Sequence, residues 1–328
     1  MAQDGRERVA LIIGASRGIG RQLAIDLANA GYTVVVSSKS ESKKGDVASF
    51  PPDPNSQQST ITTVTREITE LHGGKAVAIP VDVTKIESIE KLVAETMQRF
   101  GRVDVLVYNA GAIWWGPIST TPTKRFLLMQ RVNPEGLYKT IQTLLPVFAS
   151  QSWEGRVIVV SPPIYSRFFR GKTAYAMGKV AMSVMTKGLA MEWGREGRHG
   201  MAITSIWPAV AIQSGATENV DKRDLRKPVW PLSFSPFPHI CADLQQTIFS
   251  NAILAMLSAP TQLVNGLIDT DEDFLRSHAK VSDFSKYSLV PGSKPRRIMP
   301  LEFPDLTVAE QDDEGERADS AELRKSKI

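Results

Sequence analysis

The chain holds a single cysteine, Cys241, among 328 residues, so no internal disulfide can form, and this usage fits a reducing compartment. Four scattered histidines and that one thiol leave no cluster at metal-ligand spacing. Neither sign of charge dominates: 39 Lys and Arg stand against 35 Asp and Glu, a net of +4 spread along the chain, which argues against a nucleic-acid partner. No apolar run approaches the length needed to cross a bilayer. The opening MAQDGRER is polar and runs straight into a strand-like segment, so no signal peptide is expected. Internal repeats are also lacking.

What is present is a rhythm. The 42% of hydrophobic residues is ample for a core. Short apolar runs at residues 9–13, 33–37, 76–81, 104–108, 156–161, 202–207 and 267–268 read as strands. Between them lie helical segments at 19–30, 61–71, 86–100, 124–148, 174–195 and 243–257. In the third of these, Ile86, Ile89, Leu92, Val93, Met97 and Phe100 fall on one stripe, as a helix lying on a sheet requires. The pattern predicts an α/β fold: one doubly wound Rossmann domain with a mainly parallel seven-stranded sheet and helices on both faces. We expect that domain to span residues 1–270, a C-terminal extension over 271–300 to pack on it, and 301–328 to form a flexible tail. Residues 39–60 read as an exposed loop. Residues 214–240, rich in proline and aromatics, sit where a doubly wound sheet places its ligand crevice, and read either as a substrate lid or as a plain surface loop.

The first strand flows into Gly14-Ala-Ser16-Arg17-Gly18-Ile19-Gly20 and then into a helix. Glycine permits positive φ at such a turn, and missing side chains let a pyrophosphate approach the backbone and the helix N-terminus. An acid at the end of the second strand would favour NAD by binding the adenosine 2'-hydroxyl. Here that strand ends in Ser37-Ser38-Lys39, with no acid. Ser38, Lys39 and Arg17 could instead hold a 2'-phosphate, so NADP(H) is the expected cofactor.

Further along, Tyr175 and Lys179 stand one helical turn apart and share a face. Bringing a phenol from a pKa of about 10 to about 7 takes roughly 4 kcal/mol of preference for the phenolate. A cation about 4 Å away supplies about 1 kcal/mol in bulk water and roughly 4 at an effective dielectric of about 20. The pair is therefore expected to work only when shielded from water.

Together, Gly14 to Gly20, Asp82-Val83-Thr84, Asn109-Ala110-Gly111, Asn133 and Tyr175-x-x-x-Lys179 resemble the short-chain dehydrogenase/reductase family, over roughly residues 8–270. The "SPP" after the fifth strand, "TPTKR" at 121–125, Trp207-Pro208 and Asp271-Glu272-Asp273 are similar to its hydroxysteroid dehydrogenase-like branch, whose members are associated with peroxisomes. The resemblance implies an oxidoreductase in which hydride passes between the cofactor and a carbonyl or secondary alcohol, Tyr175 is the acid/base, and Lys179 holds the nicotinamide ribose. It implies that Asn133 anchors a relay water, that Asp82 and Val83 meet the adenine, that Asn109 to Gly111 pack against the adenosine, and that Pro208 and Ile212 frame the carboxamide. Asp82 reads equally as a helix N-cap. The resemblance also implies a homodimer or homotetramer packed through the helices of Asn133 and Tyr175.

One departure stands out. The serine that polarises the carbonyl in most of the family would fall thirteen residues before Tyr175, where this chain has Pro162. Proline has no donor, and losing one oxyanion-type hydrogen bond costs about a hundred- to a thousand-fold in rate. A kink at Pro162-Pro163 that turns Ser161 inward, or a reach by Tyr165 or Ser166, would repair the loss; strand alternation aims Ser161 the other way. A second departure sets Ala209 after Pro208 and Gln213 where a threonine is usual. The alternative is a nucleotide-binding regulatory or scaffold protein with little or no turnover. Trp114, Trp115, Phe168 and Phe169 fit a lipid-like or aromatic small-molecule substrate, or equally core or dimer contacts. The closing Ser326-Lys327-Ile328 is close to the peroxisomal S-K-L address and reads as an import-receptor ligand or as a frayed basic end in a cytoplasmic protein.

Overall fold

The computed structural model describes residues 7–42, 58–212, 245–289, 295 and 297–305. The lid reading of 214–240, Gln213, most of the 39–60 loop and the Ser326-Lys327-Ile328 terminus lie outside the described residues. Seven parallel strands form one sheet in the order β3-β2-β1-β4-β5-β6-β7. They are β1 Val9–Ile13, β2 Thr33–Ser37, β3 Lys75–Ala78, β4 Val105–Tyr108, β5 Gly155–Val160, β6 Met201–Trp207 and β7 Ile268–Thr270. The strand order reverses between β1 and β4, which opens a crevice beyond their carboxyl ends.

The central strands are apolar at nearly every position because both faces are covered. Along β1, Ala10 and Ile12 join the core under helices α1 (Gly18–Asn29) and α2 (Ile61–Arg66), while Val9, Leu11 and Ile13 join the core on the opposite face. That second face is covered by α3 (Ile86–Phe100), α5 (Gly136–Ser150) and α6 (Thr173–Arg195). Ile89, Leu92 and Val93 bury the stripe of α3, and Gly101 ends it in a left-handed conformation at φ 69°. On the first face, α7 (Thr247–Ser258) packs against α1.

The single helix expected over 124–148 is two helices, α4 (Thr123–Gln130) and α5, joined by a π-turn over Arg131–Glu135. Pro134 lies in that turn and has no N–H to give to the helical ladder. The wider turn absorbs it. Strand β3 ends earlier than expected, ahead of Pro80, although Ile79 and Val81 still donate to Val36 O and Ser38 O at 3.2 and 3.0 Å. Asp82 does not cap α3, whose N-cap is Lys85 without a side-chain bond. Its carboxylate instead accepts from Thr84 N at 3.1 Å and Thr84 Oγ1 at 2.7 Å. Before β7 comes α8 (Thr261–Val264) and after it α9 (Asp271–Ser277), the latter capped by Thr270 accepting from Asp273 N and carrying three acids in its first turn.

Among the glycines of the described residues, the closest approach lies under the β1–α1 turn. A Cβ added to Gly20 would sit 2.1 Å from Gly14 O and 2.6 Å from Asn109 Nδ2. Gly188, on the exposed side of α6, has nothing within 4 Å of the same position. Gly20→Ala is expected to destabilise the protein by about 1–3 kcal/mol through overpacking. Gly188→Ala should stabilise it by roughly 0.5–1 kcal/mol. Denaturant melts of both variants check the opposite signs.

Candidate active site

The carboxyl ends of β1, β2, β4, β5 and β6 open onto one cavity of about 1090 Å³. Gly14 turns the chain at φ 92° and its N–H donates to Ser37 O at 2.7 Å. Asn109 Nδ2 donates to Gly14 O at 2.8 Å, which pins the β4 loop to the glycine turn. Arg17 is the N-cap of α1 but provides no side-chain cap, so the first N–H groups of the helix keep their donor capacity. Gly14, Ser16, Arg17, Gly18 and Ile19 all line the cavity, whereas Gly20 lies beneath it as the packing contact already described. Ser38, Lys39, Asp82, Val83, Asn109, Ala110 and Gly111 complete this end. Lys39 Nζ meets Asp82 Oδ2 at 2.9 Å. The Thr84 bonds and this cation outweigh burial and hold the Asp82 carboxyl down at about 2.

At the other end, α6 presents Tyr175 and Lys179, both buried and both lining the cavity. Tyr175 stands between Trp115 and Phe168, with ring centroids 6.3 and 6.2 Å away. Lys179 Nζ donates to the Val160 carbonyl at 2.8 Å and lies 5.6 Å from the Trp207 ring centre. Burial pushes the Tyr175 hydroxyl well above the ordinary phenol range and pulls Lys179 down to about 7. A dry site first penalises both charged forms, and this outweighs the attraction that the spacing of the two residues promised. Gly111 leaves the space in front of the ammonium clear: a Cβ there would sit 3.4 Å from Lys179 Nζ.

Two expected groups are placed differently. Asn133 is buried in the π-turn, off the cavity lining, with Oδ1 accepting from Ala112 N at 2.8 Å and Nδ2 donating to Ala112 O at 3.1 Å. It clamps the loop after Gly111. Ser161 is not turned inward: its hydroxyl is buried against Ser205 Oγ at 2.8 Å and Ser183 Oγ at 3.0 Å, as strand alternation dictates. Ser183 also donates to Pro162 O at 2.7 Å, which fixes the Pro162 backbone beneath the site. Tyr165 lines the cavity and spends its hydroxyl on Met299 Sδ at 3.6 Å, a weak acceptor; Ser166 is off the described lining.

Pro208 and Ile212 line the cavity on the β6 side. Ala209 between them is held by residues that sequence reasoning did not assign. Its N–H donates to buried Asp271 Oδ1 at 2.8 Å, and its carbonyl accepts from Ile298 N at 2.8 Å and Met299 N at 3.1 Å. Burial raises the Asp271 carboxyl to about 7. Arg297 ion-pairs with Glu272 at 3.3 Å and with Asp273, and its Nε donates to Met299 O at 3.0 Å. The segment thus fastened places Ile298, Met299 and Pro300 in the cavity wall. The only sequence signal for it was the Asp271-Glu272-Asp273 motif, which carries no information about a partner 24 residues on.

The free helix N–H groups, the glycine turn and the cations at one end, with a buried hydroxyl and amine at the other, suit a dinucleotide in chemistry. The comparisons agree with this geometry. The family model described as short chain dehydrogenase matches residues 8–51 and 54–224. Hydroxysteroid dehydrogenase-like protein 2 of Danio rerio is 31% identical over 284 residues, 86% of this chain and 60% of that one. The Rattus norvegicus relative is matched over 48% of its length, so this chain spans about half to three-fifths of these relatives. Among solved structures, a short chain dehydrogenase from Mycobacterium thermoresistibile has a TM-score of 0.71 at 29% identity, covering 88% of this chain and 92% of that one. A metagenomic short-chain oxidoreductase in complex with NADP shares the fold, with a TM-score of 0.57 at 20% identity over 81% and 97% of the two chains. Cradle, sheet order and matched sequence converge: this chain belongs to the short-chain dehydrogenase family of oxidoreductases.

Proposed function

We propose that the protein is an NADP(H)-dependent oxidoreductase that interconverts a carbonyl and a secondary alcohol, with Tyr175 moving the proton. The observation that carries this reading is the meeting of buried Tyr175 and Lys179 with the glycine turn in one cavity. The nicotinamide, when bound, supplies or accepts the hydride. Tyr175 keeps its proton because burial disfavours the phenolate, and it can give that proton to the strongly basic alkoxide oxygen formed as the carbonyl is reduced, leaving phenolate and alcohol. Its resting state therefore serves reduction. Lys179 lies one turn further along the same helix, where it can hold ribose hydroxyls and regain its proton as negative charge enters the cavity. Asn133 keeps the Ala112 loop, and with it Gly111, in place opposite Lys179.

Support for NADP(H) over NAD(H) comes from Arg17 and Lys39 on the lining and from the lack of an acid at the end of β2. The relative solved with NADP shares this fold. A 2'-phosphate would draw Lys39 from Asp82, an exchange made easy by the 78% exposure of the Lys39 side chain. The scaffold alternative draws on Pro162 and on the buried bonds of Ser161. A peroxisomal setting is supported by the Ser326-Lys327-Ile328 terminus alone. A homo-oligomer is supported by an unpartnered stripe on α6: Met177, Val184 and Met191 recur every seven residues and are 53%, 57% and 48% exposed.

Three outcomes test these readings. With NADPH and a panel of ketones and quinones, the wild type should oxidise the cofactor, and Tyr175→Phe should lose about a hundred-fold or more while still binding it. Tight NADPH binding with no turnover across the panel would favour the scaffold. For Lys179, the unfolded chain holds the proton up to about 10.5 and the folded chain releases it near about 7, so this residue makes stability rise with pH across that window. Cofactor-free wild type should accordingly gain melting temperature relative to Lys179→Met between about pH 7 and about pH 9; parallel curves would contradict the shift. Val184→Arg should lower the mass seen by light scattering from a dimer or tetramer towards the monomer, with an unchanged wild-type mass counting against the α6 interface.

A further inference from the structure

We propose that the Tyr175 end of the cavity receives an amphipathic anion, an apolar body bearing a carboxylate, with Lys172 as its counter-charge and Arg167 and Arg170 at the rim. This rests on the oxidoreductase reading for the identity of that end as the substrate site. The argument starts from charge. Asp82 is the only carboxylate on the described lining, and it sits at the glycine-turn end, paired with Lys39. Arg297 is engaged by Glu272 and Asp273, and Lys179 by the Val160 carbonyl. Arg167, Arg170 and Lys172 also line the cavity, and none of their side chains has a hydrogen-bond or ion-pair partner among the described residues.

Lys172 is the telling one. Its Nζ lies 4.5 Å from the centre of the Phe168 ring and 4.9 Å from that of Trp115. These are the two rings that flank Tyr175, so the ammonium and the reacting phenol share one aromatic enclosure. Ring faces attract a cation but cannot accept its N–H bonds as an anion does. Burial lowers the Lys172 pKa, a cost that a carboxylate in the enclosure would reverse. The surrounding wall is apolar: Ile113, Leu128 and Ile298 are exposed hydrophobics on the lining, with buried Met299 beside them, a surface that an alkyl chain or ring system would cover. An uncharged ketone would leave the partly buried Lys172 without a counter-charge, while Arg167 and Arg170 are exposed to water. A cationic substrate would be repelled.

Decanoate and decan-1-ol share an alkyl chain and differ in the head group, so calorimetric titration of each into the full chain isolates the charge. In the presence of saturating NADPH, wild type is expected to bind decanoate about tenfold or more tightly than the alcohol, as a partly buried charge-assisted bond provides. Lys172→Gln should erase that preference with the alcohol's affinity unchanged, and Lys172→Arg should keep it. Equal affinities in the wild type overturn the proposal, as does a preference that survives in Lys172→Gln. A preference that vanishes when NADPH is added also overturns it, since the anion would then be occupying the cofactor's phosphate positions. The measurement involves no hydride transfer. The same preference in Tyr175→Phe, or in a protein that turns over nothing, would separate failure of the redox reading from failure of this one.

Discussion

The hydrogen bond from Lys179 Nζ to the Val160 carbonyl, 2.8 Å long, ties α6 to the carboxyl end of β5 and sets the position of the whole site. A buried amine must find an acceptor, and the Val160 carbonyl at the end of β5 provides one. Once that bond is made, the register of α6 is set, and Tyr175 one turn earlier is delivered between Trp115 and Phe168. Gly111 faces the ammonium, and a Cβ there would already touch Lys179 Nζ at 3.4 Å. Asn133, held in a π-turn that Pro134 imposes, keeps that loop from moving. The cost is electrostatic: the same burial that organises the pair disfavours charge on either member.

That cost gives the cavity its character. A dry enclosure that holds a protonated phenol and a readily neutralised amine is poised to accept negative charge, whether as phosphate at the glycine turn or as oxyanion or carboxylate beside Tyr175. The distribution of cations along the lining follows the same logic. Near the glycine turn, Lys39 is balanced by Asp82. Near Tyr175, Lys172 has aromatic rings instead of an acid. The C-terminal segment through Met299 closes the wall by backbone bonds to Ala209, and the Arg297 ion pairs with α9 hold it there. Behind Pro162 the hydroxyls of Ser161, Ser183, Ser205 and Thr186 form a buried network that also bonds the Pro162 carbonyl.

Much of this was legible in the sequence, for identifiable reasons. Seven apolar runs separated by helical stripes define a parallel sheet covered on both faces, because a strand buried twice has no polar side to show. Gly14 to Gly20 marks the cradle because only glycine tolerates that turn and that closeness. Tyr175 and Lys179 are visible as neighbours because helical spacing is local. Strand alternation argued against Ser161 as the replacement donor, and the kink that would have turned it into the site as a catalytic group does not do so: its hydroxyl bonds Ser205 and Ser183.

What no local pattern encodes is the set of contacts between distant segments. Asn133 clamps Ala112 and does not reach the cavity, Asp271 holds Ala209, and residues 297–300 complete a wall begun almost a hundred residues earlier. The π-turn that divides the 124–148 helix has a local cause in Pro134, but its bonds from Asn133 to Ala112 join segments 21 residues apart. The protonation of the Tyr175–Lys179 pair was decided by tertiary structure as well. Spacing gives the attraction between two groups, but the desolvation that opposes it exists only once the sheet, α6 and the aromatic rings have excluded water. The sequence by itself determined which residues could meet, through periodicity and glycine placement; folding decided which of them are charged, which are spent on structure, and which face the ligand.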